Sequence, residues 1–187
     1  MTIVARSKSK RLKNKATLKI GNSCALDHLF NRVKRLDNVD KIIFCTTKDK
    51  SDDALIKLAK KNNIQYFRGS TLNVLDRIMQ PLKKIKPDIV VRVTGDDILI
   101  DNQHFQLSLN YFLEKNFDYV DHKKLIGGTE TEIFDFDTLK FIYENARNLN
   151  DTEYLTNYIK DNASFFNIGS SPVRINKRTG CSMTIDT

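Results

Sequence analysis

Short apolar runs and apolar residues at helical spacing alternate along the first half of the chain. The runs predict buried strands, and they occupy residues 3–5, 41–47, 64–67 and 89–93. Apolar residues that recur every three or four positions predict helices, and they occupy residues 26–36, 54–59 and 74–82. This alternation predicts an α/β fold of three layers, in which helices cover both faces of a mostly parallel sheet through right-handed crossovers.

The second half continues with a mixture of predicted elements. Helices are predicted at residues 105–112, 139–146 and 152–159, and strands at residues 119–120, 131–136, 165–168 and 182–185. Acidic residues precede several helices, so the side chains predicted to cap them are Asp101, Asp151 and those of residues 51–53. No linker, internal repeat or low-complexity tract divides the chain, and its 187 residues suit one domain.

The stretch of residues 88–101 combines a β-branched run with acidic residues. The run around Arg92 predicts a core strand, and Asp96 and Asp97 follow directly after Gly95. In an open α/β sheet, ligands bind beyond the carboxyl ends of the strands, and carboxylates placed there suit a divalent metal. Gly-Asp-Asp is also ordinary turn chemistry, so a metal site and a simple turn both stay open. Arg92 is expected to pair with a carboxylate or reach solvent, because an unpaired buried charge is costly.

The chain is basic, with a net charge of +8 and a pI near 9.3, which favours an anionic partner. The densest basic cluster lies in residues 6–15 and suits the phosphates of a small ligand. A nucleic-acid partner is not expected, because aromatic residues are not interleaved with the basic ones and no nucleic-acid motif is present. No signal peptide or membrane-spanning run is apparent, and the cysteines lack zinc spacing, so a cytoplasmic protein without a membrane partner is expected.

Ordered blocks of sequence stand out along nearly the whole chain. Residues 5–15, called the basic loop below, read Ala-Arg-Ser-Lys-Ser-Lys-Arg-Leu-Lys-Asn-Lys. Later blocks are FRGS at 67–70, VLDR at 74–77, VRVTGD at 91–96, LID at 99–101, EIF at 132–134, E-x-x-T-x-Y-I at 153–159 and MTIDT at 183–187. In order and spacing these blocks resemble the sugar-acid cytidylyltransferases, especially the branch of spore-coat polysaccharide biosynthesis proteins.

The resemblance implies a Rossmann-like nucleotidyltransferase fold of the glycosyltransferase-A-like type, formed by residues 1–187 as one domain. Residues 1–101 would bind the nucleotide and residues 102–187 the acceptor. The implied reaction is Mg²⁺-dependent transfer of CMP from CTP to a sugar acid or a phosphorylated small molecule, with release of pyrophosphate, in surface polysaccharide or capsule biosynthesis. The family usually continues beyond the position of Thr187, so a longer protein fused to another domain, or a homodimer, is compatible with this chain.

The resemblance also assigns roles to individual residues. It assigns nucleotide binding to Ala5, Arg6, Ser9, Arg11, Lys15, Arg68, Ser70 and Thr94. The phosphate cations, expected to act in catalysis together with Asp96, are Arg6, Arg11 and Lys15. The residues expected to ligate Mg²⁺ are Asp96 and Asp186, the latter delivered by the last strand, whereas Asp97 is expected to be a bystander. The residues expected to face the acceptor are Glu132 and Glu153.

The chain departs from the family pattern at several positions. The family carries Gly at position 8 and Pro-Gly at 13–14, where this chain has Lys and Lys-Asn. Gly permits close approach of the backbone to phosphate, so Lys8 is expected to alter how a triphosphate lies. The family's Gly-Gly-Lys-Pro is Gly-Asn-Ser-Cys at 21–24, and the acidic residues expected at 72–73 are Leu and Asn. An altered nucleotide, an altered acceptor and reduced activity all stay open.

Two other classes of function also stay open from the sequence. A metal-dependent glycosyltransferase would use residues 95–97 as its acidic metal motif, although a diphosphate donor needs fewer cations than the basic loop supplies. A non-catalytic nucleotide-binding or scaffold domain would account for the departures in the basic loop. Replacing Asp96 with Asn separates these classes, because an enzyme should lose turnover while a scaffold should keep its partner.

Overall fold

A computed structural model describes residues 1–8, 12–121, 126–146, 156–173 and 182–185 of the chain. The described strands, in chain order, are β1 (Thr2–Val4), β2 (Lys19–Ile20), β3 (Ser23–Cys24), β4 (Ile43–Thr47), β5 (Gln65–Gly69), β6 (Ile89–Thr94), β7 (Tyr119–Asp121), β8 (Glu132–Asp135) and β9 (Ile168–Ser170). Strands β2 and β3 form a small antiparallel hairpin, and the other seven form one sheet.

Helices cover both faces of this sheet. The described α-helices are α1 (Ala25–Val33), α2 (Asp53–Lys61), α3 (Val74–Ile85), α4 (Asn102–Lys115), α5 (Phe136–Asn145) and α6 (Thr156–Asp161). Apolar residues of α1, α2 and α4 fill one core, and those of α3, α5 and α6 fill a second core on the opposite face. Alternate side chains of the inner strands enter the two cores, so Ile3 packs in the first and Val4 in the second. Among the described helices, none is long and apolar enough to cross a membrane.

The strand order is β5-β4-β1-β6-β8-β7-β9, with β1 at the point where the order reverses. The chain runs from β1 outward to β4 and β5, all parallel, and then returns to the other side of β1 as β6. Strand β8 is antiparallel to both of its neighbours, and β7 and β9 are parallel to each other. The sheet is therefore mostly parallel, as the sequence predicts, and its topological switch point lies between β1 and β6.

The predicted strands and helices of the first half are confirmed, with shifts of a few residues at their ends. Helix α3 illustrates this agreement, because its apolar positions are buried and it ends at Ile85, before Pro87. The predicted cap of α4 is also confirmed, since Oδ1 of Asp101 accepts a hydrogen bond from the N–H of His104 at 2.9 Å. The hairpin of β2 and β3 was not predicted, because two-residue strands carry no readable period.

Several local predictions are wrong. Residues 182–185 form no strand; the N–H of Met183 donates to the carbonyl of Gly127 at 2.7 Å in an irregular segment. The strand predicted at 165–168 begins only at Ile168, because Ala163–Phe165 form a 3₁₀ turn. Asp52 does not cap α2 with its side chain, which is turned toward buried hydroxyl groups instead. The predicted cap Asp151 and the start of the helix predicted at 152–159 lie outside the described residues.

Candidate active site

The loops that follow β1 and β6 start side by side at the topological switch point. The N–H of Gly95 donates to the carbonyl of Val4 at 2.8 Å. A Cβ added to Gly95 would lie 2.5 Å from the Cβ of Ala5, so only glycine lets the two strand ends approach this closely. The predicted nucleotide residues Ala5 and Thr94 therefore flank the crevice in which open α/β sheets bind ligands.

Lys15 and Asp96 meet between these two loops. The Nζ atom of Lys15 lies 2.6 Å from Oδ2 of Asp96, and the two side chains are only 14% and 12% exposed. Burial on its own would raise the pKa of Asp96, but the Lys15 ammonium holds that pKa below its ordinary value. An ionised carboxylate at the end of β6 is therefore joined directly to a cation of the basic loop.

The side chain of Arg6 contacts the loop that follows β5. Its Nη1 donates to the carbonyl of Thr71 at 3.3 Å, and Nη2 of Arg77 donates to the same oxygen at 3.3 Å. Arg77 is 1% exposed, and its Nε also donates to the carbonyl of Ser70 at 2.8 Å. Burial lowers the pKa of Arg77, and the nearby Arg6 guanidinium lowers it further. Arg6 and Ser70 thus share one electropositive corner, which suits an anionic ligand.

Arg68 clamps the segment that follows β4. Its Nε donates to the carbonyl of Thr47 at 2.9 Å, and its Nη2 donates to the carbonyl of Asp49 at 2.7 Å. Its Nη1 donates to a carboxylate oxygen of Asp53 at 2.7 Å. All three nitrogens of Arg68 are therefore engaged in holding this segment, and its assignment to the nucleotide stays a prediction.

Carboxylates crowd the neighbourhood of Asp96. Asp97 is 6% exposed and accepts a hydrogen bond from the hydroxyl of Thr94. Burial, helped by the charges of Asp96 and Glu130, raises the pKa of Asp97 to about 7. The pKa of Glu130 is raised in the same way by burial and by neighbouring carboxylates. From the sequence, Asp97 was expected to be a bystander that does not bind the metal. In the structure its side chain is buried beside these carboxylates.

Glu132 is tied into an ion pair across the sheet. It faces Arg92 in the register of β6 and β8, and the Nη1 of Arg92 donates to its carboxylate. The hydroxyl of Tyr119 donates to the other carboxylate oxygen of Glu132 at 3.1 Å. Arg92 is therefore paired with a carboxylate, as its place in a core strand requires, and the acceptor role of Glu132 stays a prediction.

Four of the predicted site residues lie outside the described residues, and they are Ser9, Arg11, Glu153 and Asp186. The last described residue, Ile185, donates its N–H to the carbonyl of Asp96 at 3.4 Å. A Cβ added to Gly128 would lie 2.5 Å from the carbonyl carbon of Met183, so these two segments also pack closely. Residues 182–185 thus run beside the loop that carries Asp96.

The donor set of this site fits Mg²⁺ through Asp96. Among the described residues, no group of three or more His, Cys, Asp or Glu side chains is arranged to hold a metal ion. Mg²⁺ needs less than that, because it commonly binds through one or two carboxylates and completes its shell with phosphate oxygens and water. Asp96 is ionised and offers hard oxygen donors at the carboxyl end of a core strand.

Sequence reasoning missed two buried groups that shape the site. Arg77 lies within the VLDR block, but nothing in the block indicated that its guanidinium would hold the loop after β5. Asp52 was visible only as one of several acidic residues before α2, and its contacts connect segments far apart in the chain. Both residues are 1% exposed, and an unexplained charge beside an apolar periodic segment is the only signal that could have indicated them.

Comparison with known sequences identifies close relatives of this chain. A family model described as Cytidylyltransferase matches residues 1–185. An uncharacterised protein of Methanocaldococcus jannaschii is 40% identical over 186 residues, which cover 99% of this chain and 76% of that protein. The spore coat polysaccharide biosynthesis protein SpsF of Bacillus subtilis is 30% identical over 121 residues, which cover 63% of this chain and 50% of SpsF.

Solved structures share the whole fold. A cytidylyltransferase from Leptospira borgpetersenii matches with a TM-score of 0.91 at 28% identity, covering 100% of this chain and 80% of that one. CMP:2-keto-3-deoxy-manno-octonic acid synthetase, solved with CTP, matches with a TM-score of 0.75 at 15% identity, covering 100% and 92%; this likeness concerns the fold alone. With its sequence match across residues 1–185, the chain belongs to the cytidylyltransferase family, nucleotidyltransferases that transfer CMP from CTP.

Proposed function

We propose that this chain transfers CMP from CTP to a polyhydroxylated small molecule, with Mg²⁺ bound at Asp96 and with release of pyrophosphate. The acceptor is a sugar acid or a phosphorylated small molecule, and the product enters surface polysaccharide biosynthesis. The name of the SpsF relative, a spore coat polysaccharide biosynthesis protein, supports this pathway.

The observation that carries the proposal is the contact between Lys15 and Asp96 at the switch point between β1 and β6. A nucleoside triphosphate and its metal need cations and carboxylates within a few ångströms of each other. Here the basic loop supplies the cation, β6 supplies the carboxylate, and Arg6 adds a guanidinium on the side of the loop after β5. This combination favours a triphosphate donor over the diphosphate donor of a glycosyltransferase.

In the proposed reaction an oxygen of the acceptor attacks the α-phosphorus of CTP, and the bond from the α-phosphorus to the oxygen that bridges to the β-phosphorus breaks. Where the attacking oxygen is a hydroxyl, its proton passes to water as the new P–O bond forms. The pyrophosphate that leaves carries the growing negative charge, so cations aimed at it stabilise the transition state. Lys15 acts as a point charge on these phosphates, and Arg6 can hold phosphate oxygens with two parallel hydrogen bonds. When bound, Mg²⁺ would offset part of the negative charge of the triphosphate and help to orient it.

The carboxylates beside Asp96 support a hydroxyl-rich acceptor. Carboxylate oxygens accept hydrogen bonds from hydroxyl groups, and such charge-assisted bonds are stronger than neutral ones. Glu130 and Glu132 are close enough for their charges to interact, and both lie near Asp96 or its strand. These carboxylate oxygens could accept hydrogen bonds from the hydroxyl groups of a sugar. The sugar would then be held beside the α-phosphorus that it attacks.

A pyrophosphate-release screen tests the proposal. The screen pairs each of the four nucleoside triphosphates with sugar acids and phosphorylated acceptors in the presence of Mg²⁺. A parallel assay for released nucleoside diphosphate tests nucleoside diphosphate sugars as rival donors, because glycosyl transfer from them releases no pyrophosphate. We expect release from CTP with one acceptor class. Lys15→Met and Asp96→Asn should each lower the rate by about a hundredfold or more, as expected for groups that stabilise transition-state charge.

Lys57→Ala is the matched control, because it removes a positive charge from an exposed position on α2. It should release pyrophosphate at the rate of the unmodified chain. If the chain binds CTP but releases no pyrophosphate with any acceptor, the proposed catalysis is wrong and a binding or scaffold domain is favoured. Release of nucleoside diphosphate from a nucleoside diphosphate sugar, without pyrophosphate release from any triphosphate, would favour a glycosyltransferase.

A further inference from the structure

We propose that Asp52 positions the basic loop for CTP. Its carboxylate fixes Ser7, and through Ser7 it fixes both ends of residues 7–14 and the start of the turn that presents Lys15. This inference rests on the proposed role of the basic loop in phosphate binding. It assigns Asp52 as a positioning residue, because its carboxylate accepts hydrogen bonds from Ser7 and from the end of β4 and acts on the site through Ser7.

Asp52 is a buried carboxylate held by neutral donors from two separate segments. It is 1% exposed, and its Oδ1 accepts a hydrogen bond from the N–H of Ser7 at 2.7 Å. Its Oδ2 accepts from the hydroxyl of Thr46 at 2.9 Å and from the N–H of Thr47 at 3.1 Å. The hydroxyl of Thr47 donates to the same oxygen. One carboxylate therefore joins the loop after β1 to the end of β4.

Ser7 is the residue through which this hold reaches the basic loop. It is 5% exposed, and its hydroxyl donates to the carbonyl of Ser51 at 2.9 Å. Its own carbonyl accepts a hydrogen bond from the N–H of Asn14 at 3.1 Å, which joins Ser7 directly to Asn14. The N–H, the hydroxyl and the carbonyl of Ser7 are thus all hydrogen-bonded. Ser7 therefore connects Asp52 to Asn14, near the end of the basic loop.

The closed end of the loop leads directly to the candidate catalytic pair. Asn14 adopts φ 57°, and its carbonyl accepts the N–H of Thr17 at 2.8 Å to form the 3₁₀ turn Lys15–Thr17. That turn carries Lys15 to within 2.6 Å of Asp96. A continuous series of hydrogen bonds therefore runs from Asp52 through Ser7 and Asn14 to the base of Lys15.

The charge of Asp52 matters as well as its shape. Burial alone would raise its pKa, but the hydrogen bonds from Thr47, Ser7 and Thr46 hold the pKa below its ordinary value. An ionised acceptor binds N–H and O–H donors more strongly than a neutral amide oxygen does. An amide at this position would also turn an NH₂ group toward one of the donors, and that contact would be lost.

The test compares Asp52→Asn with Thr46→Val, which removes one donor to the same carboxylate but leaves the bond to Ser7. Binding of CTP is measured by calorimetry, and stability by urea unfolding. Asp52→Asn should weaken CTP binding about tenfold to a hundredfold, the range for hydrogen bonds to charged groups. Thr46→Val should lower stability but change the Kd for CTP by less than about twofold. The KM for the acceptor should stay unchanged in both variants.

A double-variant cycle with Lys15→Met separates positioning from general destabilisation. If Asp52 acts through the loop that presents Lys15, the two substitutions should be non-additive in CTP binding, because their effects share one path. Additive effects of the two substitutions on CTP binding overturn the proposal. The proposal is also overturned if Thr46→Val and Asp52→Asn are equally stable and lose the same amount of CTP affinity.

A second pair of variants serves if Asp52→Asn fails to fold. Asn14 is exposed, so Asn14→Ala and Asn14→Gly leave the core untouched. Alanine is strained at this φ and glycine is not, so only Asn14→Ala should weaken CTP binding, by about fivefold to tenfold. Equal affinities in the two variants overturn the proposal. A chain that binds no CTP at all would instead refute the proposed function, independently of Asp52.

Discussion

Replacing Lys15 with Met removes the cation that pairs with Asp96. The Asp96 side chain, which is only 12% exposed, then loses this partner. At the observed 2.6 Å, the Coulomb attraction of the pair is about 6 kcal/mol at an effective dielectric constant of about 20. Desolvation of both ions offsets much of this attraction. Breaking a buried pair by removing one partner costs about 3–5 kcal/mol, and the partial exposure of this pair favours the lower end.

The two single substitutions should not be equivalent. Lys15→Met removes the ammonium that pairs with Asp96, which lies beside Asp97 and Glu130, so we expect a loss of about 3 kcal/mol in the free energy of unfolding. Asp96→Asn leaves a long flexible Lys side chain that can move its head toward water, so we expect a loss of only about 1 kcal/mol.

The double variant Lys15→Met with Asp96→Asn has neither charge. We expect it to recover about 2 kcal/mol relative to Lys15→Met alone, because the uncompensated carboxylate is gone. Urea unfolding followed by circular dichroism at neutral pH measures all four proteins. Pyrophosphate release should stay at least about a hundredfold below the rate of the unmodified chain in the double variant, because stability returns but neither charged group does. If the double variant is no more stable than Lys15→Met, the two residues are not energetically coupled and this account of the pair is wrong.

Three further predictions concern the frame around the site. Gly95→Ala should lower stability by about 1–3 kcal/mol through overpacking, and Ala5→Gly in the same chain should restore most of it, because the two Cβ atoms would lie 2.5 Å apart; thermal unfolding of the pair tests this. Burial alone would raise the pKa of Asp27, but the hydrogen bonds from Asn62 and its other donors hold that pKa below its ordinary value. The contribution of Asp27 to stability is therefore present above about pH 4 and is lost as pH falls through the folded pKa. Asp27→Asn should therefore flatten the acid limb of a urea-unfolding series, and an unchanged limb contradicts this. Burial raises the pKa of Cys45 to about 12, so mass mapping should find it labelled by a thiol reagent only after unfolding.

The layers of the fold were predictable because they follow from local periodicity. Strand side chains alternate between two cores, as Phe44 and Cys45 do, and helix positions repeat at a spacing that buries one face. Each of these patterns can be read within a stretch of about a dozen residues. The same kind of pattern predicted that β6 ends before Gly95. Arg92 was predictable in kind as well, because a charge in a core strand requires a partner, and Glu132 supplies it.

Contacts between distant segments were not predictable in the same way. The hydrogen bond from Ser7 to Asp52 spans 45 positions, and before α2 an acidic residue ordinarily indicates a cap. Tertiary context overrode that local preference, because two threonines at the end of β4 and the loop after β1 together offer better donors. The antiparallel direction of β8 is of the same kind, since no local pattern distinguishes it from a parallel strand.

Asn14 shows why a departure from a family motif can leave the geometry intact. The family pattern has glycine at this position, and Asn14 lies in the left-handed region at φ 57°. Asn enters this region more readily than most residues, because its short polar side chain can hydrogen-bond locally. Lys8 is another departure in the basic loop, and its Nζ lies 2.5 Å from a carboxylate oxygen of Asp49 on the surface. Neither substitution draws Lys15 away from Asp96, which favours an active transferase over a scaffold that has lost its site.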